Sequence, residues 1–204
     1  MRLGIFGGSF DPVHRGHLVL ADCCRRQARL GSVWFVPASC QPLKPQGPRA
    51  SDAHRLAMLQ LACASQAAFE TSAVEIQRGG LSYTMETLQA IHDEQPEAQL
   101  FFLMGADSLC DLPYWHRPAD ICRLATPLVV RRAGTRGPDF SVLRNLVSAE
   151  RLAEIRHSQV EMPATPISSS EIRKRIAAEE PWEELVSPEV ADYMKKHGLY
   201  VAQR

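Results

Sequence analysis

The 204-residue sequence contains no G-x-x-x-x-G-K-[ST] run, so it has no phosphate-binding loop of that type. G-x-G-x-x-G is also missing, which argues against a nicotinamide-dependent dehydrogenase. Gly7-x-Ser9-x-Asp11 lacks the second glycine of a nucleophile elbow, and H-E-x-x-H does not occur; covalent serine chemistry and zinc hydrolysis are both disfavoured. The 6 cysteines (Cys23, Cys24, Cys40, Cys63, Cys110, Cys122) form no C-x-x-C. Most lie in apolar segments, where a thiol behaves as a small hydrophobe, so neither a disulfide framework nor a metal site is expected. Charge excess is lacking too, with 23 Lys and Arg against 23 Asp and Glu. A general nucleic-acid or anionic-membrane binder would carry a basic surplus. No apolar run approaches bilayer length and the first residues hold no apolar leader segment, so the expected setting is the reducing cytoplasm.

Hydrophobic residues at 45% and charged residues at 23% are ordinary for a globular fold, and the length favours one domain over 1–204. Short apolar runs alternate with helical patterns. Arg2 to Phe6 reads as a strand, Leu18 to Leu30 as a helix stopped by Gly31, and Ser32 to Ala38 as a buried parallel strand. Residues 39–49, with Pro42, Pro45, Pro48 and Gly47, form a long loop and a candidate lid. A helix capped by Ser51 or Asp52 runs to about Gln66, a strand is expected over Phe69 to Gln77, and Gly79-Gly80 leads to a helix from Ser82 to about Asp93. Gln99 to Met104 is a buried strand, Pro127 to Arg131 a fifth, and Val160 to Ala164 a last one, whereas 133–158 has no clear pattern. Helices over Ser168 to Glu180 and Pro188 to His197 would make a small C-terminal helical portion from about 166 to 204. The expected fold is α/β and Rossmann-like: an open, mostly parallel sheet with helices on both faces. Ligands of such sheets bind beyond the carboxyl ends of the strands, where Gly7, Asp107 and Arg131 all fall.

The stretch Gly4-Ile5-Phe6-Gly7-Gly8-Ser9-Phe10-Asp11-Pro12-Val13-His14-Arg15-Gly16-His17 joins a strand, a glycine turn and a helix start. Bare backbone N–H groups and the positive helix end then face one place, which suits an anion. His14 and His17, at i and i+3, share one side of the first turn and add donors that titrate near neutrality. A second motif, Ile167-Ser168-Ser169-Ser170-Glu171-Ile172-Arg173, opens another helix. Ser168 with Glu171 fits a capping box, and Arg173 one turn in can fork onto phosphate oxygens.

His14-Arg15-Gly16-His17, following Gly-Gly-Ser-Phe-Asp-Pro-Val, resembles the H-x-G-H signature of a nucleotidyltransferase superfamily, and within it the opening of the nicotinate mononucleotide adenylyltransferases. Ile167 to Arg173 is similar to that family's Ile-Ser-Ser-Thr-x-Ile-Arg segment, with Ser170 for threonine; Ser82-Tyr83-Thr84 and Trp115 match its acceptor motif and ring-stacking tryptophan. The likeness spans nearly the whole chain apart from about 135–158. It departs at Gln41-Pro42-Leu43-Lys44, where the family has Pro-Pro-His-Lys, and at Ala133, where it has proline.

The resemblance implies AMP transfer from ATP to nicotinate mononucleotide, giving deamido-NAD and pyrophosphate by direct in-line attack in NAD biosynthesis, with Mg²⁺ neutralising the phosphates. It implies catalytic roles for His14, His17 and Arg173. ATP contacts would come from Gly7, Gly8, Ser9, Phe10 and Gly16, from Gly105 and Asp107 (the latter on ribose), from Arg131, and from Ile167, Ser168, Ser169 and Ser170. Acceptor contacts would come from Lys44, Ser82, Tyr83, Thr84 and Trp115, the helix start at Thr84 favouring a carboxylate over an amide. Arg55 also matches the family, although a packing role accounts for it equally. Partners are then the two nucleotides, not a nucleic acid or a membrane, and a homo-oligomer stays open. Nicotinamide mononucleotide and pantetheine phosphate are the rival acceptors, and a nucleotide-binding module without turnover is the rival class.

Overall fold

A computed structural model describes residues 1–42, 46–135 and 137–201. The chain alternates β1 (Arg2–Gly8), α1 (Arg15–Gln27), β2 (Ser32–Pro37), α2 (Asp52–Cys63), β3 (Phe69–Thr71), α3 (Val74–Arg78), α4 (Thr84–Glu94), β4 (Gln99–Gly105), α5 (Ala106–Asp111), α6 (Pro118–Leu124), β5 (Ala125–Arg132), α7 (Ala149–His157), β6 (Val160–Met162), α8 (Ser169–Ala177) and α9 (Pro188–Lys196). The 6 strands form one sheet in the order β3-β2-β1-β4-β5-β6. All its pairings are parallel among the described residues, in line with the expected open, mostly parallel sheet. Strand order reverses between β1 and β4, which opens a crevice at their carboxyl ends.

The period-2 alternation of the strands divides the core into two. Phe6, Phe35, Phe101, Leu103, Leu128 and Val130 face α1, α2, α8 and α9. Leu3, Ile5, Val36, Phe102, Met104 and Val129 face the side covered by α4, α5, α6 and α7. Sheet residues buried on both faces must be apolar throughout, which is why β2, β4 and β5 read as continuous hydrophobic runs. Gly4 is required at the tightest point of β1, where a Cβ would lie 2.7 Å from Leu30 Cδ1.

Three boundaries differ from expectation. The third strand ends at Thr71 because the Ser72 hydroxyl accepts from the Val74 amide at 3.4 Å, a local turn that starts α3. The first helix begins at Arg15, three residues early, with extended His14 as its N-cap. The patternless segment proves, from residue 137 to 158, to be a cover for the second core: a short 3-10 turn at Phe140–Leu143 and α7, capped by Ser148, bury Phe140, Leu143 and Ile155. The C-terminal helices are continuous with the first core through Ile172, Ile176, Val190 and Met194.

Phe35 is fully buried and meets Phe6, Phe10 and Phe69 at ring separations of 5.4, 5.7 and 5.3 Å. Phe35→Ala should therefore lower unfolding free energy by about 3–5 kcal/mol, read from the urea midpoint. A loss below about 1 kcal/mol would contradict the packing.

Candidate active site

Two cavities open at the carboxyl edge. The first, of about 440 Å³, is lined by Gly8, Ser9, Phe10, Asp11, His14, Gly16 and His17 from the β1–α1 corner, by Arg132 from β5, and by Ile167 to Ser170 with Arg173 from the start of α8. The second, of about 390 Å³, is lined by Ser82, Tyr83, Thr84, Ser108, Asp111, Tyr114, Trp115 and His116. Both volumes suit small-molecule sites. Gln41 borders both, and its Oε1 accepts from Ser9 Oγ at 3.1 Å. The two motifs read as separate phosphate grips thus share one cavity, and a neighbouring cavity adjoins it through Gln41.

The β1–α1 corner is rigidly built. The His14 and His17 rings stack at 3.7 Å and 19°. His17 Nδ1 accepts from the His14 amide at 3.2 Å, so a neutral His17 carries its proton on Nε2. Nδ1 of His14 is buried without a partner. It lies in the wall of the first cavity, whereas other buried unpaired atoms such as Ser32 Oγ and Trp34 Nε1 line neither cavity. A Cβ at position 16 would lie 3.0 Å from His14 Nδ1, so Gly16 makes room first of all for that ring. Burial foremost, then the Arg132 guanidinium, holds the His14 pKa at about 4 instead of 6.5, against a weaker backbone hydrogen bond. Below the corner, fully buried Arg55 donates to the Ser9 carbonyl at 2.7 Å and to Asp52 at 2.6 Å. It holds the turn from beneath through these two hydrogen bonds.

At α8, Ser168 Oγ accepts from the Glu171 amide at 3.2 Å. Only half of the capping box forms, because the Glu171 carboxylate turns to Arg175 at 3.0 Å. Ser169 Oγ donates to the Pro12 carbonyl at 2.9 Å. Arg173 Nη1 donates to the Asp11 carbonyl at 2.6 Å and Nη2 to Ser170 Oγ at 3.3 Å, which leaves Nε buried and unpartnered. In the second cavity α4 begins after Tyr83, whose side chain makes no cap hydrogen bond. Tyr83 meets His116 in a tilted contact at 4.6 Å, and Trp115 meets Phe102 edge-on at 6.0 Å.

Some expected residues have other employment. Ser82 Oγ accepts from the Ser39 amide at 2.9 Å and stitches the start of the proline-rich loop to α4. Arg131 is turned to Glu161 at 3.6 Å and does not line the first cavity; Arg132 does. Strand alternation held that signal, since Leu128, Val130 and Arg132 share the face of α1 and α8. Gly7 sits in the sheet opposite Val36, and Gly105 and exposed Asp107 stand at the β4–α5 junction, outside the lining of both cavities. Lys44 lies outside the described residues. Gln41 and His116 were not foreseen; nothing in their local spacing distinguishes them.

The cytidylyltransferase-like family model matches residues 5–175. A probable nicotinate-nucleotide adenylyltransferase of Roseiflexus sp. is 43% identical over 200 residues, covering 97% of both chains. Counterparts from Rhodopirellula baltica and Thermomicrobium roseum are each 41% identical, over 86% and 98% of this chain and 82% and 91% of theirs. The chain belongs to the nicotinate-nucleotide adenylyltransferase family. Its fold agrees: nicotinic acid mononucleotide adenylyltransferase of Plasmodium falciparum, solved with NaAD, superposes with a TM-score of 0.73 at 19% identity over 98% of this chain and 97% of that one. The same enzyme solved with APC gives 0.72, covering 98% and 96%. Within the adenylyltransferase family site, the described residues bring no three His, Cys, Asp or Glu side chains together to hold a metal.

The His14 environment predicts a pH effect on stability. Between pH about 6.5 and about 4 the unfolded chain binds a proton at His14 that the folded chain refuses, so this contribution is complete above 6.5 and is lost as pH falls through 4. The loss should be on the order of 3 kcal/mol, visible as the difference between wild-type and His14→Gln urea midpoints across that window. Parallel profiles would contradict it.

Proposed function

We propose that this adenylyltransferase joins AMP from ATP to nicotinate mononucleotide, forming deamido-NAD and releasing pyrophosphate. The observation that carries the reading is the pair of cavities meeting at Gln41: one walled by imidazoles, a helix start and guanidinium groups, the other by aromatic rings and a second helix start. The reaction needs no enzyme nucleophile. An oxygen of the acceptor phosphate forms the new bond to the α-phosphorus as the bond to the bridging oxygen of pyrophosphate breaks. Catalysis is then positioning and charge stabilisation.

In this reading the triphosphate lies in the first cavity, with α8 amides, Ser169, Ser170 and Arg173 toward the β- and γ-phosphates. His14 and His17 meet the α-phosphoryl group, His14 as a neutral donor through its otherwise unpartnered Nδ1. Arg132, beside His14, adds the positive charge that Arg131 was expected to supply. Gly8, Ser9 and Phe10 form the floor, and Gly105 and Asp107 border the nucleoside side. The pyridine ring lies against Trp115 in the cavity that Tyr83 and His116 also line, its carboxylate at the amides that open α4 at Thr84, where a negative charge gains most. Lys44 is assigned to the acceptor on family likeness alone. Magnesium belongs here as part of the substrate, carried by phosphate oxygens with its own waters. Asp11 is the one acid lining the first cavity among the described residues, and both its carboxylate oxygens accept hydrogen bonds from the protein. Residues 1–204 act as one nucleotidyltransferase domain. ATP as substrate and six free cysteines suit the cytoplasm.

Pyrophosphate release with ATP and Mg²⁺ should be robust with nicotinate mononucleotide and at least tenfold lower in kcat/KM with nicotinamide mononucleotide or pantetheine phosphate, each tenfold being about 1.4 kcal/mol of discrimination. Preference for either rival would overturn the acceptor; silence with all three would point to a binding module. His17→Ala should lower kcat about a hundredfold with little change in acceptor KM, the scale of losing one oriented donor. Near-native turnover would reduce His17 to a structural cap.

A further inference from the structure

Asp11 is 4% exposed, and four groups from three distant segments converge on its carboxylate. Oδ1 accepts from the Tyr200 hydroxyl at 2.7 Å and from the Ala50 amide at 3.0 Å. Oδ2 accepts from the Arg49 amide at 2.8 Å and stands 3.7 Å from Arg173 Nη1. The same nitrogen donates to the Asp11 carbonyl, so Arg173 is gripped by the main chain and side chain of one residue. Tyr200 comes 189 residues later in the sequence and holds a left-handed φ of 66°. A bulky side chain is rare in that region, and such conformers persist only where the surroundings enforce them. Its ring packs on the first core, and burial followed by the Asp11 charge pushes the hydroxyl above its ordinary pKa, so it remains a donor.

We propose that Asp11 is the positioning residue for Arg173 and for the far end of the proline-rich loop, and that Tyr200 is a latch that fixes Asp11 in that role. The inference rests on the reading of Arg173 as a phosphate contact. The physical argument is accounting. An aspartate buried to this degree must have its lone pairs filled, and the Tyr200 hydroxyl fills one of them. Without it, the Oδ1 side retains only the Ala50 amide, and the carboxylate is free to rotate toward the guanidinium or toward solvent entering behind it. Either movement shifts Arg173 relative to the α8 amides that share its ligand. Asp11 itself need not touch the nucleotide.

The test uses full-length protein and two readouts, calorimetric affinity for a non-hydrolysable ATP analogue and steady-state turnover. Tyr200→Phe keeps the ring and removes only the hydroxyl. It should weaken analogue binding about three- to tenfold and lower kcat about tenfold, with acceptor KM within twofold, since small misplacements of a positioned group cost on this scale. In the Arg173→Ala background the same change should weaken binding less than twofold further, because the latch acts through that arginine. Asp11→Asn should resemble Tyr200→Phe or exceed it; if it does not fold, the tyrosine cycle decides alone. Unaltered affinity and turnover in folded Tyr200→Phe would overturn the proposal, as would fully additive losses with Arg173→Ala. A lowered melting temperature with wild-type kinetics would also overturn it, making Tyr200 only a structural tether. Absent turnover in the wild type would instead sink the proposed reaction, while the affinity cycle still judges the latch.

Discussion

The start of α8 hangs on two carbonyl oxygens of the β1–α1 corner, Pro12 through Ser169 and Asp11 through Arg173. The first cavity exists because of that docking. Each corner alone is a helix start with unsatisfied amides, a feature common to many folds. Brought together, they enclose a volume in which donors from opposite walls converge. The carbonyls are available because β1 ends at Gly8 and the chain must turn before α1 begins at Arg15, leaving main-chain groups that no strand or helix partner claims.

The charge pattern around that cavity is economical. Arg55 is fully buried, tolerable only because Asp52 and the Ser9 carbonyl occupy its terminal nitrogens. Arg173 is partly offset by Asp11, and His14 is held neutral, so the free site avoids stacking uncompensated cations at close range. An incoming polyanion reverses the balance, since its charge favours the same donors that repel one another without it. The site is preorganised in geometry while its electrostatic gain is deferred until ligand arrives.

Much of this was legible in the residues. Periodicity placed β1, β2, β4 and β5, because strands buried on both faces have no choice but to be apolar. Motif spacing singled out His14, His17 and the Ile167 to Arg173 turn, because amide-rich helix starts need small or hydroxyl residues in a fixed order. The failures have physical causes. β3 is a three-residue edge strand, too short to impose a period, so the α3 pattern behind it was absorbed into it. The 140–157 cover is polar on its outer face and contributes only a few buried side chains, leaving a weak signal. Arg131 and Arg132 are chemically identical neighbours, and only the face of β5 on which each falls separates them. Asp11, Tyr200 and Gln41 matter through long-range contacts, which local sequence does not encode.

The position of Tyr200 gives the fold a schedule. A ribosome adding about 5–20 residues per second delivers His17 roughly ten to forty seconds before Tyr200. The β3-β2-β1 half can pair early, β4, β5 and β6 complete the sheet later, and α8 follows, yet the Asp11 carboxylate beside the first cavity stays short of one donor until Tyr200 is made. A nascent chain stalled between β6 and Tyr200 would own a complete sheet and an Asp11 carboxylate still lacking one donor. The hydrogen bond that completes the Asp11 carboxylate therefore forms only after every strand of the sheet has been made.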